Sequence, residues 1–193
     1  VGTRIEGASL LVRFASLGSG SRGNGTVVQH QDTHVLIDCG FGYQDSVARL
    51  KRLGLTPDML DAVVVTHEHS DHWSGVQALA SRHSIPVYAS RGTWIEVGGD
   101  RIAEAIEVRG AFQVKELAIQ PVTVPHDARE PIQCVFQAAG QRLGILSDLG
   151  SVSAHVLEAF RELDALSVEF NHDPELLQAG PYPAFLKRRV GGD

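Results

Sequence analysis

The segment VVVTHEHSDH, residues 63–72, places His67, His69, Asp71 and His72 within six positions, directly after three valines. Imidazole nitrogens and a carboxylate oxygen at this density suit a divalent ion such as Zn²⁺, Mn²⁺ or iron. Burying such groups unpartnered costs roughly 2–7 kcal/mol each, and coordination offsets that cost. A lone histidine would read as a solvated loop residue, but four ligand-type residues behind a buried strand do not. His67 and His69, two apart, can reach one ion from an extended or tightly turning segment. Asp71 and His72 follow at once and can face a second ion. The spacing is His-x-His-x-Asp-His, which excludes a helical HExxH site. Glu68 and Ser70 lie between the ligands and read as groups that shape the loop rather than bind the ion.

Such a cluster needs rigid elements to hold it. Residues 62–66, AVVVT, read as a short strand covered on both faces. The same pattern, an apolar strand ending in polar ligand types, recurs at 119–127, 143–148 and 166–173. It adds His126, Asp148 and His172 to the candidates. His126 could instead be a loop histidine capped by Asp127, and Asp148 could cap a helix or shape a turn. Strands are also expected in LVRFAS, in IPVYAS, and in TVVQH and THVLIDCG, which form a hairpin turning at Gln31 and Asp32. Helices are expected over Tyr43–Leu53 with Gly54 as a stop, from about Trp73 to His83, and from about Ser153 to Leu163. Strands outnumber helices. The pattern predicts two sheets with helices packed outside, and a site where strand carboxyl ends converge.

Other polar features carry weaker signals. GSGSRGN (18–24) is not a Walker loop. It reads either as a flexible hairpin connection or as a loop whose backbone N–H groups and Arg22 hold a phosphate. Lys187, Arg188 and Arg189 form a short basic run, usually a solvated face but also suited to a nucleic-acid backbone. His30, His34, His83 and His155 have no companions and read as surface residues.

The chain has 193 residues, 43% hydrophobic and 21% charged, the balance of one globular domain. Its net charge of −6 gives no global attraction for nucleic acid, so any such substrate must be drawn locally or by metal ions. No apolar run is long enough to cross a membrane, and no secretory leader is legible, so a cytoplasmic location is expected. Cys39 and Cys134, far apart in strand-like runs, read as buried reduced thiols.

These segments carry a resemblance. THEHSDH is similar to the His-x-His-x-Asp-His signature of the metallo-β-lactamase fold. FASLGSGSRGN, LIDCGFG, VTHEHSDHWSGV, VPHDAREP, LGILSDLG, EFNHD and GPYPAFLKRRV occur in the order found in the WalJ/YycJ/VicX exonuclease group, over nearly the whole chain from Val12. The resemblance implies an α/β fold, the αββα sandwich of two mixed β-sheets with helices on the outer faces, spanning residues 12–193 as a single domain after an extension at 1–11. It implies two divalent ions, Zn²⁺ or Mn²⁺ or iron. His67, His69 and His126 would hold the first, Asp71 and His72 the second, and Asp148 would bridge both.

The implied activity is metal-dependent hydrolysis, as a phosphodiesterase or 5′-to-3′ exonuclease using a metal-bridged hydroxide on DNA ends. Asp71 would orient or deprotonate the nucleophile. His172 would donate a proton or contact phosphate, or merely begin a helix. The family pattern continues past LKRRV to a further histidine ligand, whereas this sequence ends at Asp193. The expectation is a C-terminally truncated fold with a second site one ligand short. The alternatives are a metallohydrolase of a thioester, lactone or other small molecule, and a metal-binding but inactive or regulatory fragment. Asp148, where zinc lactamases often carry cysteine, argues against a lactamase proper. His69, where di-iron relatives carry glutamate, argues against an oxidoreductase.

Overall fold

A computed structural model describes residues 11–99, 102–169, 174–184 and 187. The N-terminal half forms a six-stranded sheet in sequential order: β1 (Val12–Gly18), β2 (Gly25–His30), β3 (Thr33–Ile37), β4 (Ala62–Val64), β5 (Val87–Ala89) and β6 (Ala105–Glu107). β1, β2 and β3 are antiparallel, and β3 to β6 run parallel. The second sheet is built from β7 (Phe112–Val114), β8 (Leu117–Thr123), β9 (Ile132–Ala138), β10 (Gln141–Leu146) and β11 (Ala165–Val168), in the order β11-β10-β9-β8-β7. It is antiparallel except for the β10–β11 pair.

Alternation along the strands builds the layers. Val28, Val35, Ile37, Ala62 and Val64 face Leu117, Ile119, Cys134, Phe136, Leu143 and Ile145, and this cluster fills the space between the sheets. The other face of the first sheet presents Val27, Leu36, Val63 and Val65 to Leu50 of helix α1 (Tyr43–Arg52) and to Leu79 of α3 (Val76–His83). Val124 and Leu146 pack with Val156 of α5 (Ala154–Ala159) outside the second sheet. The result is the expected α/β sandwich of helix, sheet, sheet and helix. Cys39 and Cys134 are both free and buried, and burial pushes both thiols upward in pKa.

Four local expectations are corrected. The helix expected from Trp73 starts earlier and is broken: α2 (Ser70–Trp73) stops, and α3 begins after Gly75. A Cβ on Gly75 would lie 2.0 Å from the Phe41 carbonyl oxygen, so the chain must pass there without a side chain. The helix after Ser153 ends at Ala159, and Glu162 takes a left-handed conformation. His30 and His34 are buried rather than surface residues, because β2 and β3 are interior strands flanked by β1 and β4. His83 does have companions, Tyr43 Oη at 3.0 Å and Asp58 Oδ1 at 2.6 Å, whereas His155 is exposed as expected. Sequence reading passed over α4 (Arg91–Val97), capped by Ser90, together with β6 and β7.

Candidate metal centre

Four strands end on the same side of the sandwich and deliver the polar groups. β3 leads into Asp38, β4 into Thr66 and His67, β8 into His126, and β10 into Asp148. Asp38 and Asp148 both have positive φ, 57° and 33°, a conformation that costs a non-glycine residue energy and recurs at functional sites. Backbone bonds fix the strand ends here: Asp38 N–H to Val64 O at 2.9 Å extends the β3–β4 pairing, and Ile132 N–H to Thr66 O at 3.0 Å ties the second sheet to the first.

Three imidazoles converge. His67 Nε2 lies 3.0 Å from His69 Nδ1, which lies 3.3 Å from His126 Nε2. A tetrahedral zinc ion with ordinary bond lengths holds its ligand atoms roughly 3.3–3.4 Å apart, so these nitrogens have the right spread for one ion. A second group shares His67: His72 Nε2 is 2.6 Å from Asp148 Oδ2, which is 3.9 Å from His67 Nε2. Asp71 borders it, with Oδ2 3.7 Å from His72 Nε2. The donor sets are nitrogen-rich in one half and mixed nitrogen and oxygen in the other, and both fit borderline divalent ions. All six predicted ligands are thus brought together. His172, Arg188 and Arg189 lie outside the described residues. Lys187 donates to the carbonyl of Gln178.

The residues behind the ligands decide which nitrogen faces the centre. Asp38 accepts from Thr66 N–H and Thr66 Oγ1, each at 2.8 Å. The Thr66 hydroxyl has one proton and gives it to that carboxylate, so it must accept from His67 Nδ1–H at 2.9 Å. His67 Nε2 is then the lone pair aimed inward. Asp38 Oδ2 also accepts from His72 Nδ1–H at 2.8 Å, which turns His72 Nε2 inward as well. Gln133, buried within β9, clamps the residue before Asp148: its amide donates to Ser147 O at 2.7 Å and accepts from Ser147 N–H at 3.0 Å. Glu68 accepts from Arg129 N–H at 2.7 Å, and Glu130 accepts from Gly92 N–H at 2.6 Å, so the loop carrying His126 is tied on both sides.

Sequence reading missed Asp38, Thr66, Gln133 and Asn24. Asp38 offered a signal, since THVLID repeats the pattern of an apolar strand with an acid at its end. Gln133 offered none.

Electrostatics separates the histidines. Burial, reinforced by the neighbouring His72, His126 and His69, pushes His67 down to about 2. Burial lowers His126 in the same direction. Both are therefore neutral near pH 7, with lone pairs available. Burial also opposes charge on His72, but Asp38 and Asp148 outweigh it and raise the group to about 10. Burial opposes the charge on Asp148 in turn, and His72 outweighs that, holding the carboxyl at about 2. A positive charge is thus stabilised in the second half of the centre, where His72 meets two acids.

Residues 18–166 match the metallo-beta-lactamase superfamily. Exodeoxyribonuclease YycJ of Bacillus anthracis is 32% identical over 188 residues, covering 94% of this chain and 71% of that protein. Exodeoxyribonuclease WalJ of Streptococcus pneumoniae is 29% identical over 189 residues, covering 94% and 70%. The crystal structure of Zn²⁺-bound PqqB from Methylobacterium extorquens superposes with a TM-score of 0.69 at 18% identity, covering 88% of this chain and 70% of that one.

Proposed function

The chain belongs to the metallo-beta-lactamase superfamily of hydrolases, and from that premise we propose that it is a metal-dependent phosphodiesterase that shortens DNA from a 5′ end. Support comes from one observation above all. Two ligand groups sharing His67 accompany a 94% span of similarity to two exodeoxyribonucleases. In this proposal His67, His69 and His126 hold one divalent ion. His72, Asp71 and Asp148 would hold a second, and Asp148, whose Oδ2 lies 3.9 Å from His67 Nε2, would serve both. Zn²⁺ or Mn²⁺ bound there supplies Lewis acidity toward phosphate oxygens and an activated water.

The chain's own groups do the rest. Asp38 and Thr66 keep Nε2 of His67 and Nε2 of His72 aimed inward. Asp71 orients the attacking water and takes up its proton. The P–O bond then breaks, and His172 gives a proton to the leaving oxygen. Arg22, exposed on the glycine-rich loop, meets the substrate backbone. With a net charge of −6, the protein relies on the ions rather than its surface to draw a polyanion.

The test is hydrolysis of 5′-labelled single-stranded DNA with added Mn²⁺ or Zn²⁺. Stepwise release from the 5′ end is expected. His67→Ala and Asp148→Ala should each lose more than the ~10–100-fold typical of an outer-shell change, with the circular-dichroism spectrum retained. Wild-type rates from either variant in metal-replete buffer would sink the assignment. Turnover of a thioester or lactone without any DNA cleavage would move the substrate class.

A further inference from the structure

The glycine-rich segment is joined to the second half of the centre through one buried side chain. Asn24 is 7% exposed. Its Oδ1 accepts from Gly20 N–H at 2.8 Å, which fixes the amide so that Nδ2 faces the site. Nδ2 stands 3.2 Å from Asp71 Oδ2 and 2.9 Å from His72 Nε2. The backbone is held as well: Asn24 N–H donates to Asp71 O at 2.7 Å, and Asn24 O accepts from Gly40 N–H at 2.9 Å. Asn24 therefore cannot turn away from Asp71 without breaking bonds on both sides.

Asp71 needs such an anchor. It lies in α2, a helix of four residues. An isolated single turn is far below the length at which a helix holds itself in water. His72 has Asp38 behind it, but Asp71 has no comparable carboxylate or hydroxyl behind its own side chain in the described contacts. A loose carboxylate would lose rotamer freedom on each binding event, and prior ordering removes that cost.

We propose that Asn24 is a positioning residue that sets the orientation of Asp71 beside His72, and that the glycine-rich loop thereby controls the affinity of the second ion but not the first. The assignment rests on the two-ion arrangement proposed above. It also gives GSGSRGN a role distinct from phosphate binding: the loop's glycines let the chain fold back so that Gly20 N–H can hold the Asn24 amide.

The experiment is calorimetric titration of the chelator-stripped protein with Mn²⁺, alone and without substrate, paired with electron paramagnetic resonance of the loaded protein. Wild type should take two ions in two steps and give a spin-coupled Mn²⁺ pair. Asn24→Ala should leave the first step unchanged, weaken the second about 10–100-fold as outer-shell changes do, and convert the spectrum to that of isolated ions. The effect should largely vanish in an Asp71→Ala background, where the carboxylate that Asn24 orients is gone and only its contact with His72 remains. If Asn24→Ala does not fold, Asn24→Ser carries the same measurement.

Two steps unchanged in the Asn24 variant, or both weakened alike, would overturn the role of Asn24 while leaving the two-ion centre intact. A single step in wild type would overturn the two-ion centre and the role of Asn24 with it.

Discussion

His67 shows how a histidine is prepared for a cation. It is fully buried, its Nδ1–H is spent on Thr66, and three neighbouring imidazoles make a proton on Nε2 unwelcome. Its folded-state pKa of about 2 lies below the ordinary 6.5, so the unfolded chain takes up the proton first as pH falls. The stability that depends on neutral His67 is complete above pH 6.5 and is lost as pH drops toward 2. His72 has the opposite sign. Its folded value of about 10 exceeds 6.5, so its contribution is complete below 6.5 and is lost as pH rises through 10. The chelator-stripped protein should therefore lose melting temperature on acidification below pH 6.5. His67→Ala should flatten part of that slope, and parallel slopes in a thermal-melt series would remove His67 as the cause. At this scale the ligands were legible because each carries chemistry in its own side chain. Asp38 carried only a strand-end signal that went unread, and Thr66 and Asn24 carried none, because the carboxylate that takes the Thr66 proton and the groups that Asn24 meets lie 28 to 48 positions away, which no local spacing encodes.

The loops between elements depend on close backbone approach. A Cβ on Gly40 would lie 1.7 Å from Asp71 O, where real contacts do not occur. Gly40→Ala must push the loop after β3 away from α2, and with it Asp71 and His72. Overpacking of this kind costs about 1–3 kcal/mol, occasionally more. The expected result is a lower denaturant midpoint together with weakened ion binding. Gly42→Ala is the control. Its Cβ meets nothing within 4 Å and its φ of −58° suits any residue, so it should stay within about 0.5 kcal/mol of wild type. A Gly40 variant as stable as the Gly42 variant would refute the interlock. Most strands, though not β6 and β7, were readable from β-branched runs, and α1 from its 3.6-residue spacing. The break at Gly75 was not, since Val76 and Leu79 continue the apolar rhythm across a tertiary contact that rhythm does not record. Helix α4 was missed for a similar reason: RGTWIEV carries no clear apolar face, and its start is fixed by Ser90 and by Glu130 from a distant loop.

Across the whole molecule, the centre is a joint between two sheets. His67, His69, His72 and Asp71 follow β4 of the first sheet, whereas His126 and Asp148 follow β8 and β10 of the second. An ion bound by both groups binds the folded state and not the dispersed chain. At a free concentration 100 times its dissociation constant it adds about 2.7 kcal/mol. Melting temperature should rise on adding Zn²⁺ or Mn²⁺ and fall with chelator, and His126→Ala should blunt the rise. An unchanged melt in wild type would mean that no ion spans the sheets. The layered architecture was legible from the repeated pattern of apolar strands and polar ends. The parallel pairing of β11 beside β10 was not, because no single segment encodes which strand it will meet across α5. The same separation also has a meaning in time. His69 and His126 are 57 positions apart, although their nitrogens meet at 3.3 Å. At a synthesis rate of about 5–20 residues per second, the first cluster is made roughly 3–11 s before its partner histidine. During that interval the nascent chain carries an incomplete chelate, so an ion that reached it then would meet part of the centre rather than the whole.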